Sequence, residues 1–278
     1  MLPLLAFGFA GESVARTVNR LPIGLRLLLP AAFGVPYILI ARPTGTFQPD
    51  WMACYLLVPV LIALLLWHAR QADPEQRGDW RDFAVLLVLG LAVDLRWLDP
   101  AWPAHLSIFG KMILLDAGLY GFLAIRQLTN VGFDLRARWQ DLLTGLRELV
   151  FYAPIALPVG LALGFLHAHL QLPRPGAAAF AWVFTFVLIA LPEEIFFRGW
   201  MQNLLERRVG KTGALLLTSV IFGLAHFNKQ ATYFNWRYVL LATIAGIFYG
   251  RAWRRDRRVV ASSITHACVD TVWSLWLR

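Results

Sequence analysis

The sequence predicts an all-α fold, a polytopic transmembrane bundle of eight or nine helices, and three observations carry that expectation. Hydrophobic types make up 58% of the 278 residues and charged types only 15%, where about 25% charged is usual for a soluble domain. Mean hydropathy is +0.57. The apolar residues gather into runs long enough to cross a bilayer, whose core of about 30 Å takes around 20 helical residues. A soluble fold could not cover this much apolar surface, and a disordered chain requires the opposite balance.

Measured against that length, spans fall at 22–41, 51–69, 82–98, 105–125, 149–170, 177–200, 212–233, 237–253 and 259–277. The third carries Asp94 and Arg96 near its end, which makes the count eight or nine. Pro36, Pro59, Pro154 and Pro158 lie inside spans, where a membrane bundle tolerates them. Residues 1–11 are apolar but lack a basic leading stretch, so no cleavable signal is expected there. Residues 133–148, from Phe133-Asp134-Leu135-Arg136 to Glu148, read as an amphipathic interfacial helix. It divides an N-terminal membrane part, 1–132, from a second part, 149–278, whose motif core is 177–278.

The net charge of +9 would suggest nucleic acid in a soluble protein. In a membrane protein, topology is the better explanation, and no nucleic-acid partner is expected. Loops and span ends on one side of the nine spans hold 17 Lys and Arg residues and those on the other hold 6. The positive-inside rule then puts the N-terminus and the loop 251–258 in the cytoplasm, with the bilayer taken as a bacterial inner (plasma) membrane. Cys54 and Cys268 sit in separate apolar runs and read as small apolar filler.

Charged side chains inside a bilayer are costly and are functional candidates by default. The densest group is Glu193-Glu194-Ile195-Phe196-Phe197-Arg198 in the sixth span. Glu194 and Arg198 are four apart and share a helix face, whereas Glu193 is rotated by about 100° and stays available. Gly210 reads as a turn that sends the chain back as span seven. Glu193 and His226 lie 17 and 16 residues from it, so an antiparallel hairpin brings them to equal depth, roughly 24 Å from the turn. Phe222 shares the face of His226. In the last span Ser263, His266, Asp270 and Trp273 form one stripe, and His266 enters by about 12 Å from Arg258.

Three motifs stand out: Glu193-Glu194-x-x-x-Arg198, Phe222-x-x-x-His226 and His266-x-x-x-Asp270. In this order, on three membrane helices, they resemble the signature motifs of the CPBP family. That family holds the type II CAAX prenyl endopeptidases, bacteriocin-processing and immunity proteins, and the Abi group. The resemblance covers about 177–278 and implies a glutamate-dependent intramembrane endopeptidase acting on a membrane-associated protein or peptide. Carried onto this chain, it makes Glu193 the general base that activates water and His226 its positioning partner. His266 and residue 270 would stabilise the oxyanion, and Glu194 and Arg198 would hold the helix geometry, with Phe222 supporting the site. The family's third motif more often ends in Asn. An ionised Asp270 cannot donate a hydrogen bond, so its expected task is to orient His266 and favour its charged form.

No cofactor is expected. The nearest rival is a zinc protease in which Glu193, His226 and His266 would be the ligands, although no His-Glu-x-x-His helix is present. Ser219, Ser262 and Ser263 lack the Gly-x-Ser setting of a serine protease, and Asp94 and Asp116 lack that of an aspartyl protease. Outside enzymes, Lys111 and Asp116 could serve a transporter, and a non-catalytic immunity or binding protein could keep the motifs as structure.

Overall fold

The computed structural model describes residues 2–169, 174–229 and 233–277. Among these the chain is helical, with no strand, and it divides into two compact units, Met1–Thr129 and Asn130–Arg278. Among the described residues, five helices are long and apolar enough to cross a membrane: Ile23–Ala41, Pro49–Ala72, Ile108–Ile125, Trp139–Ala162 and the bent Gly176–Leu224.

The first unit holds α1 (Leu2–Asn19), α2 (Ile23–Ala41), α3 (Pro49–Ala72), α4 (Trp80–Asp94) and α5 (Ile108–Ile125). Helix α1 is additional to the predicted spans, because residues 2–19 pass the apolar start and continue through Glu12 and Arg16. Span three shortens to 15 residues, since Asp94 and the left-handed Arg96 (φ 55) end it. Asp79 caps α4 by accepting from Arg81 N–H, and Asp82 returns the bond to Asp79 N–H, which satisfies donors that a helix start leaves open. The buried Arg126 holds this end of the unit, donating to Asp82 at 2.8 and 3.0 Å and to Asp73 at 2.7 Å.

The second unit contains α6 (Trp139–Ala162), α7 (175–224), α8 (Trp236–Asp256) and α9 (259–277). The expected interfacial helix over 133–148 does not form as a separate element. Residues 133–138 are non-helical, and helix begins at Trp139 and runs without interruption into the span. The physical reason is a charge cluster formed across the unit. Asp134, the Arg136 carbonyl and Asp141 all receive the buried Arg258, which pins 133–138 as a strap over the turn between α8 and α9. Gly132 (φ 75) reinforces it, its carbonyl accepting from Val259 N–H.

Helix α7 folds back at Gly210, whose φ of 73 and ψ of 170 suit glycine alone. Its arms, 175–209 and 211–224, correspond to predicted spans six and seven. The second arm ends at Leu224 rather than 233, so His226 lies in the turn beyond the helix; residues 230–232 lie outside the described part. Likewise α6 ends at Ala162, where Gly164 takes a left-handed φ of 60, and residue 170 of the fifth span lies outside the described part. Gly223 lets the second arm approach α8 closely: a Cβ there would stand 2.5 Å from the Val239 carbonyl oxygen. Small residues at such crossings are the usual means of close helix approach in membranes.

Candidate active site

The first arm of α7 positions the carboxylates. Glu193 and Glu194 sit on one α-helical turn, Leu191–Glu194, between two π-helical stretches, Phe186–Ala190 and Ile195–Gln202. Wider π turns inside α-helices recur at functional sites, where they re-aim side chains. Pro192 contributes by removing one backbone donor at this place.

Glu194 is fully buried and completely engaged. One oxygen accepts from Arg198 Nε at 3.0 Å and from Ser262 Oγ at 2.8 Å, and the other meets His266 Nδ1 at 3.0 Å. Arg198 lies beneath it with its guanidinium 5.2 Å from the Phe222 ring centroid and 5.9 Å from that of Phe197. Its two Nη atoms are buried without hydrogen-bond partners among the described residues, so ring faces supply their electrostatic compensation.

His266 is held on every side. Tyr249 stacks on its ring at 4.5 Å and 16°, and Phe222 meets it edge-on at 5.6 Å. Its Nε2 lies 3.4 Å from Asp270 Oδ2 and 3.9 Å from Glu193 Oε2. With carboxylate oxygens facing both ring nitrogens, only the doubly protonated ring can donate to both sides.

His226 donates through Nδ1 to the Phe222 carbonyl at 2.8 Å. A carbonyl can only accept, so the neutral ring leaves Nε2 as a bare acceptor. Phe222 is the hub of the group: its ring contacts Phe197, His226, Tyr249 and His266 at centroid distances of 5.0, 4.9, 5.7 and 5.6 Å.

Glu193 is the one carboxylate not committed. Its side chain is 36% exposed, yet Oε2 is buried and has no hydrogen-bond partner among the described residues. Equal distances from the Gly210 turn predict that it faces His226. Among the described residues its close partner is His266, and no hydrogen bond or ion pair joins it to His226. The π turns on both sides of Glu193 alter rotation and rise, which uniform helical spacing does not allow for.

Beside this group lies a cavity of about 110 Å³, lined by His226, His266, Asp270, Tyr152, Tyr238 and Trp273 together with apolar residues of α6 and α8. Glu193 is not part of the lining; its Oε2 lies 3.9 Å from the Nε2 of His266, which is part of it. Polar side chains make up part of the lining and the rest is apolar, a composition suited to an amphiphilic chain. Among the described residues, no group of three His, Cys, Asp or Glu side chains has metal-holding geometry.

Ser262 and Tyr249 join the site without having been expected there. Ser262 precedes His266 by one helical turn, and that spacing was the available signal; nothing in the sequence distinguishes Tyr249 from other aromatic residues of its span.

No curated protein and no solved structure matches the chain. Residues 175–272 match the family model described as type II CAAX prenyl endopeptidase Rce1-like. That stretch contains the whole Glu193–Asp270 constellation, and it is the part of the chain that is similar to the type II CAAX prenyl endopeptidases.

Proposed function

We propose that the protein is a glutamate-dependent intramembrane endopeptidase that cuts a membrane-associated protein or peptide, near a CAAX-type tail or at a sorting or leader sequence. The observation that carries this reading is the unpartnered Oε2 of Glu193, 3.9 Å from His266 Nε2, beside the cavity that His226, His266 and Asp270 line. Glu193 takes a proton from water while the bare Nε2 of His226 orients that water by accepting its second proton as a hydrogen bond. The water oxygen bonds to the scissile carbonyl carbon, and the carbonyl electron pair moves to oxygen. His266 donates Nε2–H to that oxyanion, and donors preset in a dry pocket stabilise such charge strongly. Collapse breaks the C–N bond, and the proton held by Glu193 passes to the leaving amine. Asp270 is an acceptor, so its role is to hold His266, not to bind the oxyanion.

Metal-free water activation is supported by the rival's own ligand set, since Glu193, His226 and His266 form no group with metal-holding geometry among the described residues. The distribution of Lys and Arg supports a cytoplasmic N-terminus. The test is cleavage of a farnesylated fluorogenic CAAX peptide by purified protein in detergent, with and without chelator. Chelator-resistant cleavage supports the reading; loss with chelator and recovery with zinc favours the zinc protease. Unchanged biological function in a Glu193→Gln variant would favour a binding protein.

A further inference from the structure

A second concave site lies away from the catalytic group, in the same unit. It is a cavity of about 380 Å³ lined by Arg147, Lys211, Arg251, Arg254, Arg255 and Arg257. Three parts of the unit supply these cations: α6, the turn of α7, and the last turns of α8 with Arg257 just beyond its end. Six cations in one concavity are opposed by three carboxylates. Glu148, fully buried, pairs with Arg147 and Arg251; Glu206 pairs with Arg254 and Arg257. Asp256 stands 4.0 Å from Arg255 and is about half exposed. The carboxylates fix the arginine stems and leave a net positive cradle. Lys211 forms none of these ion pairs.

The surroundings decide what kind of anion fits. Directly beyond Arg147 on α6, Val150 and Phe151 are 66% and 50% exposed, and beyond Lys211 on α7 Leu216 and Leu217 are 51% and 43% exposed. Arg251 lies over Phe151 and Phe248, 5.7 and 5.2 Å from their ring centroids, so the apolar face and the cradle are continuous. A soluble phosphate needs only the cations. A phospholipid needs both a cationic seat and apolar rails beside it, and basic pockets between membrane helices hold such headgroups.

We propose that this cradle binds the phosphodiester headgroup of an anionic phospholipid, whose acyl chains lie along the exposed faces of α6 and the second arm of α7. Tyr152 and Tyr249, which line the catalytic cavity, are on the same two helices as Arg147 and Arg251, five residues beyond the first and two before the second. A lipid seated here would therefore brace the walls of that cavity.

The test uses the full chain purified in mild detergent and native mass spectrometry with dioleoylphosphatidylglycerol, dioleoylphosphatidylcholine or inorganic phosphate. Wild type is expected to retain phosphatidylglycerol about tenfold better than phosphatidylcholine. The Lys211→Gln/Arg255→Gln double variant is expected to lose that preference, whereas Lys211→Arg keeps it; melting of each variant in detergent controls for folding. Equal retention of the two lipids, or a preference unchanged in the double variant, overturns the proposal. Displacement of phosphatidylglycerol by millimolar phosphate would reassign the cradle to free phosphate. Unchanged lipid retention together with a raised KM only for peptides bearing a free C-terminal carboxylate would reassign it to substrate.

Discussion

His266 Nδ1 meets Glu194 Oε1 at 3.0 Å, and the same imidazole turns its Nε2 toward Asp270 at 3.4 Å. The ring thus joins a structural carboxylate to the face of the cavity, and it connects α7 with α9. Glu194→Ala leaves Arg198 buried without its partner, and breaking a buried pair in this way costs about 3–5 kcal/mol. The expected result is a large fall in the melting temperature of the detergent-purified protein, with loss of cleavage. A variant that melts like wild type would show that Arg198 finds compensation elsewhere.

Ser262→Ala removes one hydrogen bond to an ionised acceptor, worth about 1.5–3 kcal/mol. The Glu194–Arg198 and Glu194–His266 contacts survive it. A moderate loss of stability with cleavage reduced less than by Glu194→Ala is expected, read by melting and by kcat in the same preparation.

Asp270→Asn keeps the size and one acceptor oxygen of the side chain and removes its charge, whereas Asp270→Ala removes the contact. If Asp270 holds His266, kcat should fall in the order wild type, Asn, Ala, with KM changing little. A change in KM alone would place Asp270 in substrate recognition instead.

Gly223→Ala should separate the second arm of α7 from α8, since the Val239 carbonyl oxygen cannot withdraw from a Cβ that would lie 2.5 Å away. Phe222 is adjacent, so the hub of the site moves with it. Both stability and cleavage are expected to fall; overpacking of this kind typically costs about 1–3 kcal/mol. Wild-type behaviour would show that the crossing is looser.

Asp134 gives a pH dependence outside the membrane segments. Hydrogen bonds from Arg136 and then Arg258 hold its carboxyl below the ordinary range, at about 2. A depressed native value means that its stabilisation is complete above the unfolded value near 4 and is lost as pH falls through about 2. Melting of wild type should therefore weaken between about pH 4 and pH 2 more than that of Asp134→Asn; parallel curves would contradict the pinned strap.

Local spacing carried much of this site. Glu194–Arg198 and His266–Asp270, each four residues apart, meet as i,i+4 neighbours on one helix should. The membrane class followed from composition, because apolar surface must be covered by lipid or protein. What spacing could not supply was the partner of each group across helices. Glu193 lies next to His266 because π turns flank it, and no pattern of apolar residues announces a π turn. The helix expected over 133–148 was lost for a similar reason: its amphipathic pattern was real, but the charges answer to Arg258, more than a hundred residues away in sequence. Long-range ion pairs of this kind leave no periodic trace.

The most direct measurement compares protein termini in membranes of cells producing wild type or Glu193→Gln, with both proteins present at equal levels. The expected result is accumulation of uncleaved precursors of one or a few membrane-associated proteins in the variant, at turnover reduced about 10²-fold or more. Identical termini in the two membranes, where a strain lacking the protein does show uncleaved precursors, would mean that hydrolysis proceeds without the carboxylate of Glu193.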